Sequence, residues 1–304
     1  MTEPHSQILW AAFAPEEFQK EFERELEFRG LKPFRREGTL FIFEGPFVAL
    51  GWAAVSWQNA ELVPLASINA GAKSLRPRAR LWQHVSLKEH RRGELLLEQL
   101  RSAKPRVVQF PMSFVAPEGL GAFTLLGKEE LLFSRDFDRP DPAGHMPFAE
   151  TKEAPSRAYL KLWEAFTIRN EFPAPGEEAV DLGSCPGGWT WVVASLGASC
   201  LGVDRSPFDP KVAAMPGVQF KSGDAFQMTP EKTGPLDWLL SDVICYPEKL
   251  FEFIEAWAKS GLARRMVITI KFQGEADPAI IAKFQTLGRV LHLAHNKHEL
   301  TFLR

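Results

Sequence analysis

Lys161, Asp242, Lys271 and Glu299 are far apart in the chain, yet each falls where a reaction could occur. Lys161 lies on a predicted helix. Asp242 and Lys271 each end a predicted strand, and Glu299 stands in a predicted terminal hairpin. Two lysines with two carboxylates suit the deprotonation of a weak oxygen nucleophile. A hydroxyl must lose its proton during or near attack, and a lysine accepts that proton only when its pKa is lowered. A second ammonium and partial burial do this, while carboxylates hold the ammonium groups and keep the site near neutral. Any one of the four alone reads better as part of an ordinary salt bridge. As a set they gain meaning from the segment they flank.

That segment is Asp181-Leu-Gly-Ser-Cys-Pro-Gly-Gly-Trp-Thr190, linking a short buried strand to a helix. Gly183, Gly187 and Gly188 leave room for backbone to approach a ligand closely, and Pro186 stiffens the turn. The loop lacks the Lys-Ser/Thr pair of a phosphate-cradling loop, and Cys185 breaks a Gly-x-Gly-x-x-Gly dinucleotide fingerprint. An acid opening a glycine-rich loop suits a ligand with a cationic amine and no phosphate, and S-adenosylmethionine is such a ligand. Asp204 ends the next strand, placed to accept from ribose hydroxyls. Asp224, in Ser-Gly-Asp-Ala-Phe226, could accept from an adenine amino group with Phe226 as an apolar wall. The expected cofactor set is Asp181, Gly183, Ser184, Cys185, Pro186, Gly187, Gly188, Trp189, Asp204, Asp224 and Asp242. Beside a sulfonium methyl donor, the Lys-Asp-Lys-Glu set suits in-line methylation of a ribose 2′-hydroxyl, where positioning supplies much of the rate.

The elements that must position these residues alternate between strand and helix. Helices are predicted over 158–166, 188–196, 247–260 and 278–284. Strands are predicted over 179–182, 199–203, 237–241 and 266–270, and residues 290–294 and 300–303 read as an antiparallel hairpin across Asn296-Lys297. Such alternation predicts a mostly parallel sheet covered on both faces. The polar, Pro-rich run around Asp136–Pro155 places a domain boundary near residue 145, giving domains 1–145 and 146–304. In the first, residues 8–13, 39–43, 53–56, 62–68, 107–110 and 130–133 are strand candidates and 15–28 a helix, as in a small α+β domain.

With 304 residues the chain has room for two cores. The composition, 45% hydrophobic and 24% charged, is that of a soluble globular protein. No apolar run approaches the roughly 20 residues that span a bilayer, and Met-Thr-Glu-Pro-His5 does not open a signal peptide, so a cytoplasmic protein is expected. Cys185, Cys200 and Cys245 lack metal-ligand spacing and read as reduced structural thiols; no metal site is expected. The net charge of −2 hides a basic stretch, Lys73 to Arg106, with ten Lys/Arg against three Glu. Arg76, Arg78, Arg80, Arg91 and Arg92 with Trp82 could contact phosphates and stack bases; a solvated helix face is the plainer alternative.

Asp181 to Thr190 resembles the Asp-Leu-Gly-Ala-x-Pro-Gly-Gly-Trp-Thr loop of the FtsJ-like ribose 2′-O-methyltransferases, with Ser184 at the Ala position. Pro155-Ser-Arg-Ala-Tyr-Leu-Lys-Leu162 resembles that family's Ser-Arg-(Ala/Ser)-x-x-Lys-Leu helix. The resemblance implies a Rossmann-like class I methyltransferase domain: a mostly parallel seven-stranded sheet with a C-terminal antiparallel hairpin, preceded here by a smaller α+β domain. It implies Lys271 as general base, with Lys161, Asp242 and Glu299 tuning and orienting it. Through Pro235-Leu-Asp-Trp-Leu-Leu-Ser-Asp-Val243 and Pro247 to Ile270, the chain is similar to the RlmM-like branch, which methylates a cytidine ribose of bacterial 23S rRNA. That implies an RNA substrate, neither DNA nor a membrane, and a THUMP-type RNA-binding module within 1–145. The alternative is a catalytically silent or differently targeted RNA-binding protein on the same fold. The sequence leaves the oligomeric state open.

Overall fold

The computed structural model describes residues 8–103, 107–111 and 117–304. Met1 to His5, and Lys104 and Arg106 of the basic stretch, lie outside the described residues. The described residues form two compact units: 148–304 together with 108–111, and the remainder.

In the first unit the elements are β1 (Leu9–Phe13), α1 (Gln19–Phe28), β2 (Arg35–Glu37), β3 (Leu40–Glu44), β4 (Val55–Pro64), α2 (Ile68–Leu75), β5 (Leu81–His84), α3 (His90–Leu97), β6 (Leu120–Leu125), β7 (Glu130–Ser134) and β8 (Asp136–Phe137). They build one sheet in the order β2-β3-β1-β4-β7-β6-β5, with β8 paired to β4. The long β4 pairs with β1 through its first half and with β7 through its second, joining two apolar clusters. The expected strand over 62–68 is corrected here. Pro64 ends β4, and Ser67 accepts from Ala70 N (3.1 Å) to cap α2. The expected strand over 107–110 is also absent. Val108 instead makes a single isolated bridge to Phe148 within the second unit.

The second unit comprises α4 (Tyr159–Arg169), β9 (Glu178–Leu182), α5 (Gly188–Ser195), β10 (Ser199–Asp204), α6 (Pro210–Ala213), β11 (Val218–Ser222), α7 (Pro230–Thr233), β12 (Leu236–Ser241), α8 (Pro247–Ser260), β13 (Ala263–Lys271), α9 (Pro278–Leu287), β14 (Arg289–Leu291) and β15 (Glu299–Leu303). The sheet order is β11-β10-β9-β12-β13-β15-β14, and β15 alone runs antiparallel to its neighbours. This is the expected Rossmann-like class I methyltransferase arrangement. Its central strands are nearly continuous apolar runs because both faces are buried. The order reverses between β9 and β12, the switch point at which open α/β sheets bind ligands beyond their strand ends. Helix α8 opens with Pro247 at its first position and stops at the left-handed Gly261; Asp277 caps α9 through Ala279 N (2.8 Å). The edge strand β11 was not foreseen, because its residues are mostly exposed and carry no apolar periodicity.

Candidate active site

Two clefts open at the C-terminal ends of the central strands. The first, of about 440 Å³, is lined by Gly183, Asp204, Asp224, Phe226, Val243, Tyr246 and neighbours, a size usual for small-molecule sites. Its polar geometry is fixed by backbone. Asp204 Oδ2 accepts from Cys185 N (3.0 Å) and Oδ1 from Ser206 N (2.9 Å). Asp224 accepts from Phe226 N (3.0 Å), and the Lys249 ammonium sits 4.1 Å from the centre of the Phe226 ring. Gly183 has φ +74°, and a β-carbon there would lie 2.7 Å from Val243 Cα. A side chain is therefore excluded on two grounds.

Of the glycine-rich segment, Gly183 alone lines this cleft. Ser184, Cys185, Pro186, Gly187, Gly188 and Trp189 fasten the loop instead. Cys185 Sγ contacts Pro207 O (3.3 Å), and Trp189 Nε1 donates to Ala158 O (2.9 Å), tying α5 to the start of α4. A β-carbon on Gly187 would meet Val212, and one on Gly188 would meet Ser156. Asp181 also faces inward: it is 1% exposed, and Thr190 Oγ1 donates to its Oδ2 (2.7 Å). Burial pushes its carboxyl up to about 7; the Thr190 hydroxyl opposes this, and the nearby Asp242 and Asp204 charges add to it. Asp181 Oδ1 and Ser184 Oγ are buried without a hydrogen-bond partner among the described residues.

The donor groups of the first cleft fit S-adenosylmethionine. Carboxylates can accept from hydroxyls and amines, Val203, Ala225, Phe226 and Ile244 offer apolar walls, and the cleft matches a molecule of that size. Ile244 and Tyr246, each more than half exposed, are wall residues that no sequence pattern marks. They follow Asp242 in a loop without periodicity.

The second cleft, of about 660 Å³, is lined by Lys161, Lys271, Glu299, Arg157, His295 and Lys297, among others. The Lys-Asp-Lys-Glu residues converge beside it. Lys161 Nζ donates to Asp242 Oδ1 (2.8 Å) and to Glu299 Oε1 (3.0 Å). Lys271 Nζ lies 3.1 Å from the same Asp242 Oδ1 and donates to the Asp242 carbonyl (2.6 Å). Sheet register explains half of this convergence, since Lys271 and Glu299 are cross-strand partners on β13 and β15. Asp242 follows the last residue of the neighbouring β12, and Lys161 reaches the strand ends from α4.

Lys161 departs from the lowered lysine expected of such a cluster. Burial works to lower it, but the charges and hydrogen bonds of Asp242 and Glu299 outweigh burial and hold it above the usual lysine value. It is therefore held as a cation at neutral pH.

The basic stretch is more constrained than expected. Trp82 is 1% exposed and packs against Phe123 and Phe133, so it cannot stack a base. Arg78 lies over the Phe133 ring and donates to Ser74, and Arg76 donates to Gln99 O (3.0 Å). No helix among the described residues is long and apolar enough to cross a membrane, and no cluster of His, Cys, Asp and Glu among them could hold a metal ion.

The profile of FtsJ-like methyltransferases matches residues 154–292. Ribosomal RNA large subunit methyltransferase M of Halorhodospira halophila is 34% identical over 170 residues, covering 53% of this chain and 50% of that protein. The protein of the same name from Xylella fastidiosa is 32% identical over 165 residues, covering 49% and 46%. The chain thus spans about half the length of the curated relatives it matches. Aeropyrum pernix fibrillarin in complex with S-adenosylmethionine, a solved structure, is 18% identical with a TM-score of 0.35 over 60% of this chain and 80% of that one, too loose a likeness to carry an argument.

Proposed function

We propose, from the match of residues 154–292 to the FtsJ-like methyltransferase profile, that this chain is an S-adenosylmethionine-dependent RNA ribose 2′-O-methyltransferase. The observation that carries the reading is the convergence of Lys161, Asp242, Lys271 and Glu299 beside a cleft separate from the one that fits the methyl donor. Nitrogen and carbon acceptors rarely need a lysine base, whereas a ribose hydroxyl does. The curated relatives are named for the ribosomal RNA of the large subunit, which supports an rRNA acceptor; a cytidine ribose of 23S rRNA is the finer reading, taken from the sequence resemblance. A cytoplasmic protein is the location this reading expects, since ribosomal RNA would be its substrate. In this reading residues 146–304 do the chemistry and residues 1–145 recognise RNA, in part through the basic stretch 73–106.

Bound S-adenosylmethionine supplies a methyl group on a positively charged sulfur, an electrophile that needs no further activation. Gly183 would let the backbone approach it, Asp204 would accept from its ribose hydroxyls, and Asp224 with Phe226 would hold its adenine; all four line the cleft. Lys161, locked between two carboxylates, is the spectator cation that fixes Asp242 and Glu299. Lys271 takes the 2′-hydroxyl proton as the oxygen attacks and passes it to solvent. Asp242 orients both lysines through one carboxylate oxygen. The fastened loop keeps this geometry preorganised, so little reorganisation accompanies the transfer.

The test is transfer of labelled methyl from S-adenosylmethionine to bulk RNA lacking the modification, with 2′-O-methyl mapping of 23S rRNA from a deletion strain. Labelled RNA, and one lost mark in the strain, are expected. Cofactor binding without transfer to any RNA would turn the reading to a silent RNA-binding module.

A further inference from the structure

The second cleft holds more positive charge than the reaction uses. Lys161 and Lys271 are balanced by Asp242 and Glu299. Arg157 and Lys297 remain, on the wall of the same cleft, in a chain whose net charge is −2. Among the described residues Arg157 pairs only with Glu150 (2.8 Å), and both side chains are largely exposed. Such surface pairs contribute little, so this arginine exchanges partners at small cost. Lys297 is exposed and has no ion pair among the described residues. At about 660 Å³ the cleft exceeds what one ribose fills.

Lys297 is also held in place by a buried charge that the reaction leaves unused. Glu164 is on α4, one turn after Lys161, and is 2% exposed. Its Oε1 accepts from Ala294 N (2.8 Å), and its Oε2 accepts from His295 N (3.2 Å) and lies 2.7 Å from His295 Nδ1. Asn296, next to Lys297, is buried, and its side chain donates to Thr301 Oγ1 (3.1 Å) on β15. A buried carboxylate is costly unless its hydrogen bonds are satisfied. Here it is satisfied by the loop between β14 and β15, whose shape it therefore sets.

We propose that Lys297 and Arg157 form a phosphodiester-binding subsite of the acceptor cleft, with Glu164 as the positioning residue that fixes the loop carrying Lys297. The subsite grips a backbone phosphate next to the target nucleotide, so that binding energy away from the reacting atoms orients the 2′-hydroxyl toward Lys271. The inference rests on the proposed function only in taking RNA as the ligand.

The experiment measures binding of a short, fluorescently labelled single-stranded RNA to the full chain across a series of salt concentrations. Each phosphate neutralised contributes about 0.7 to the slope of log affinity against log salt for single strands. Lys297→Ala should weaken binding roughly 3–10-fold and flatten the slope by about 0.7, Lys297→Arg should restore both, and Arg157→Ala should flatten it likewise. Glu164→Gln should reproduce the loss without touching RNA, because an amide cannot accept from Ala294 N and from the His295 groups together. The exposed Lys297 substitutions keep the test decisive if that variant folds poorly. Affinity and slope unchanged in Lys297→Ala would overturn the subsite even if the RNA is methylated. A flattened slope, with label transferred to something other than RNA, would uphold the subsite and sink the proposed function.

Discussion

The two clefts lie at the same end of one sheet but are built in opposite ways. The donor cleft is largely apolar with balanced charges, and its key groups are tied to backbone close in sequence: Asp204 to Ser206, and Asp224 to Phe226. The acceptor cleft is basic, and its contacts join distant segments, as when Lys161 meets Glu299 across 138 residues. One side is a local loop structure shaped for one small molecule. The other is assembled by tertiary structure and sheet register around a surplus of basic side chains. The difference predicts that substitutions on the two sides fail in different measurements.

The largest effect is expected at the acceptor side. Lys271→Ala should lower methyl transfer about 100- to 10,000-fold, the usual span for a lost general base, while calorimetry finds cofactor affinity little changed. An equal loss of cofactor affinity would erase the distinction between the clefts. On the donor side, Asp204→Ala should weaken cofactor binding roughly 10–100-fold, as expected for a lost charge-assisted hydrogen bond, and leave RNA affinity intact. Unchanged cofactor affinity would remove Asp204 from the ribose role.

Gly183→Ala should destabilise the fold by about 1–3 kcal/mol and weaken cofactor binding with it, because both φ and the Val243 backbone oppose a side chain. Thermal unfolding with and without cofactor reads both effects. Asp181 gives a pH signature. Its folded carboxyl titrates at about 7, whereas in the unfolded chain it loses its proton near the ordinary 3.8. Between those values the folded state holds a proton that the unfolded state has released, so this group makes stability fall as pH rises, by roughly 1.4 kcal/mol per pH unit at most. Asp181→Asn should flatten the melting temperature against pH across that window; parallel curves would contradict the inward-facing assignment. The smallest effect belongs to the first unit. Reversing charge at Arg76, Arg78 and Arg80 should weaken RNA binding and flatten its salt dependence modestly, because Arg76 and Arg78 are already engaged.

The same contrast explains what could be read from the residues. The donor side was legible because an acid at a strand end followed by glycines is a local pattern, and β9 and β10 are short buried apolar runs. Even so, spacing could not say that Asp181 turns inward while Gly183 faces the cleft. The four acceptor residues were legible as a set only with the resemblance. Their contacts depend on the pairing of β13 with β15, which no local window contains. Glu164 reads as an ordinary helix acid, and Lys297 as a turn residue. Only the folded chain reveals that one is buried against the backbone beside the other. In the first unit, Trp82 stood among arginines and suggested stacking, but alternation along β5 turns it into the core.

The most direct measurement of the central claim is nucleoside analysis of RNA after incubation with labelled S-adenosylmethionine and either the wild-type chain or Lys271→Ala. The account predicts label in a single 2′-O-methylated nucleoside, resistant to alkaline cleavage on its 3′ side, with at least a 100-fold loss in Lys271→Ala. Label on a base, or equal transfer by the two proteins, would contradict it.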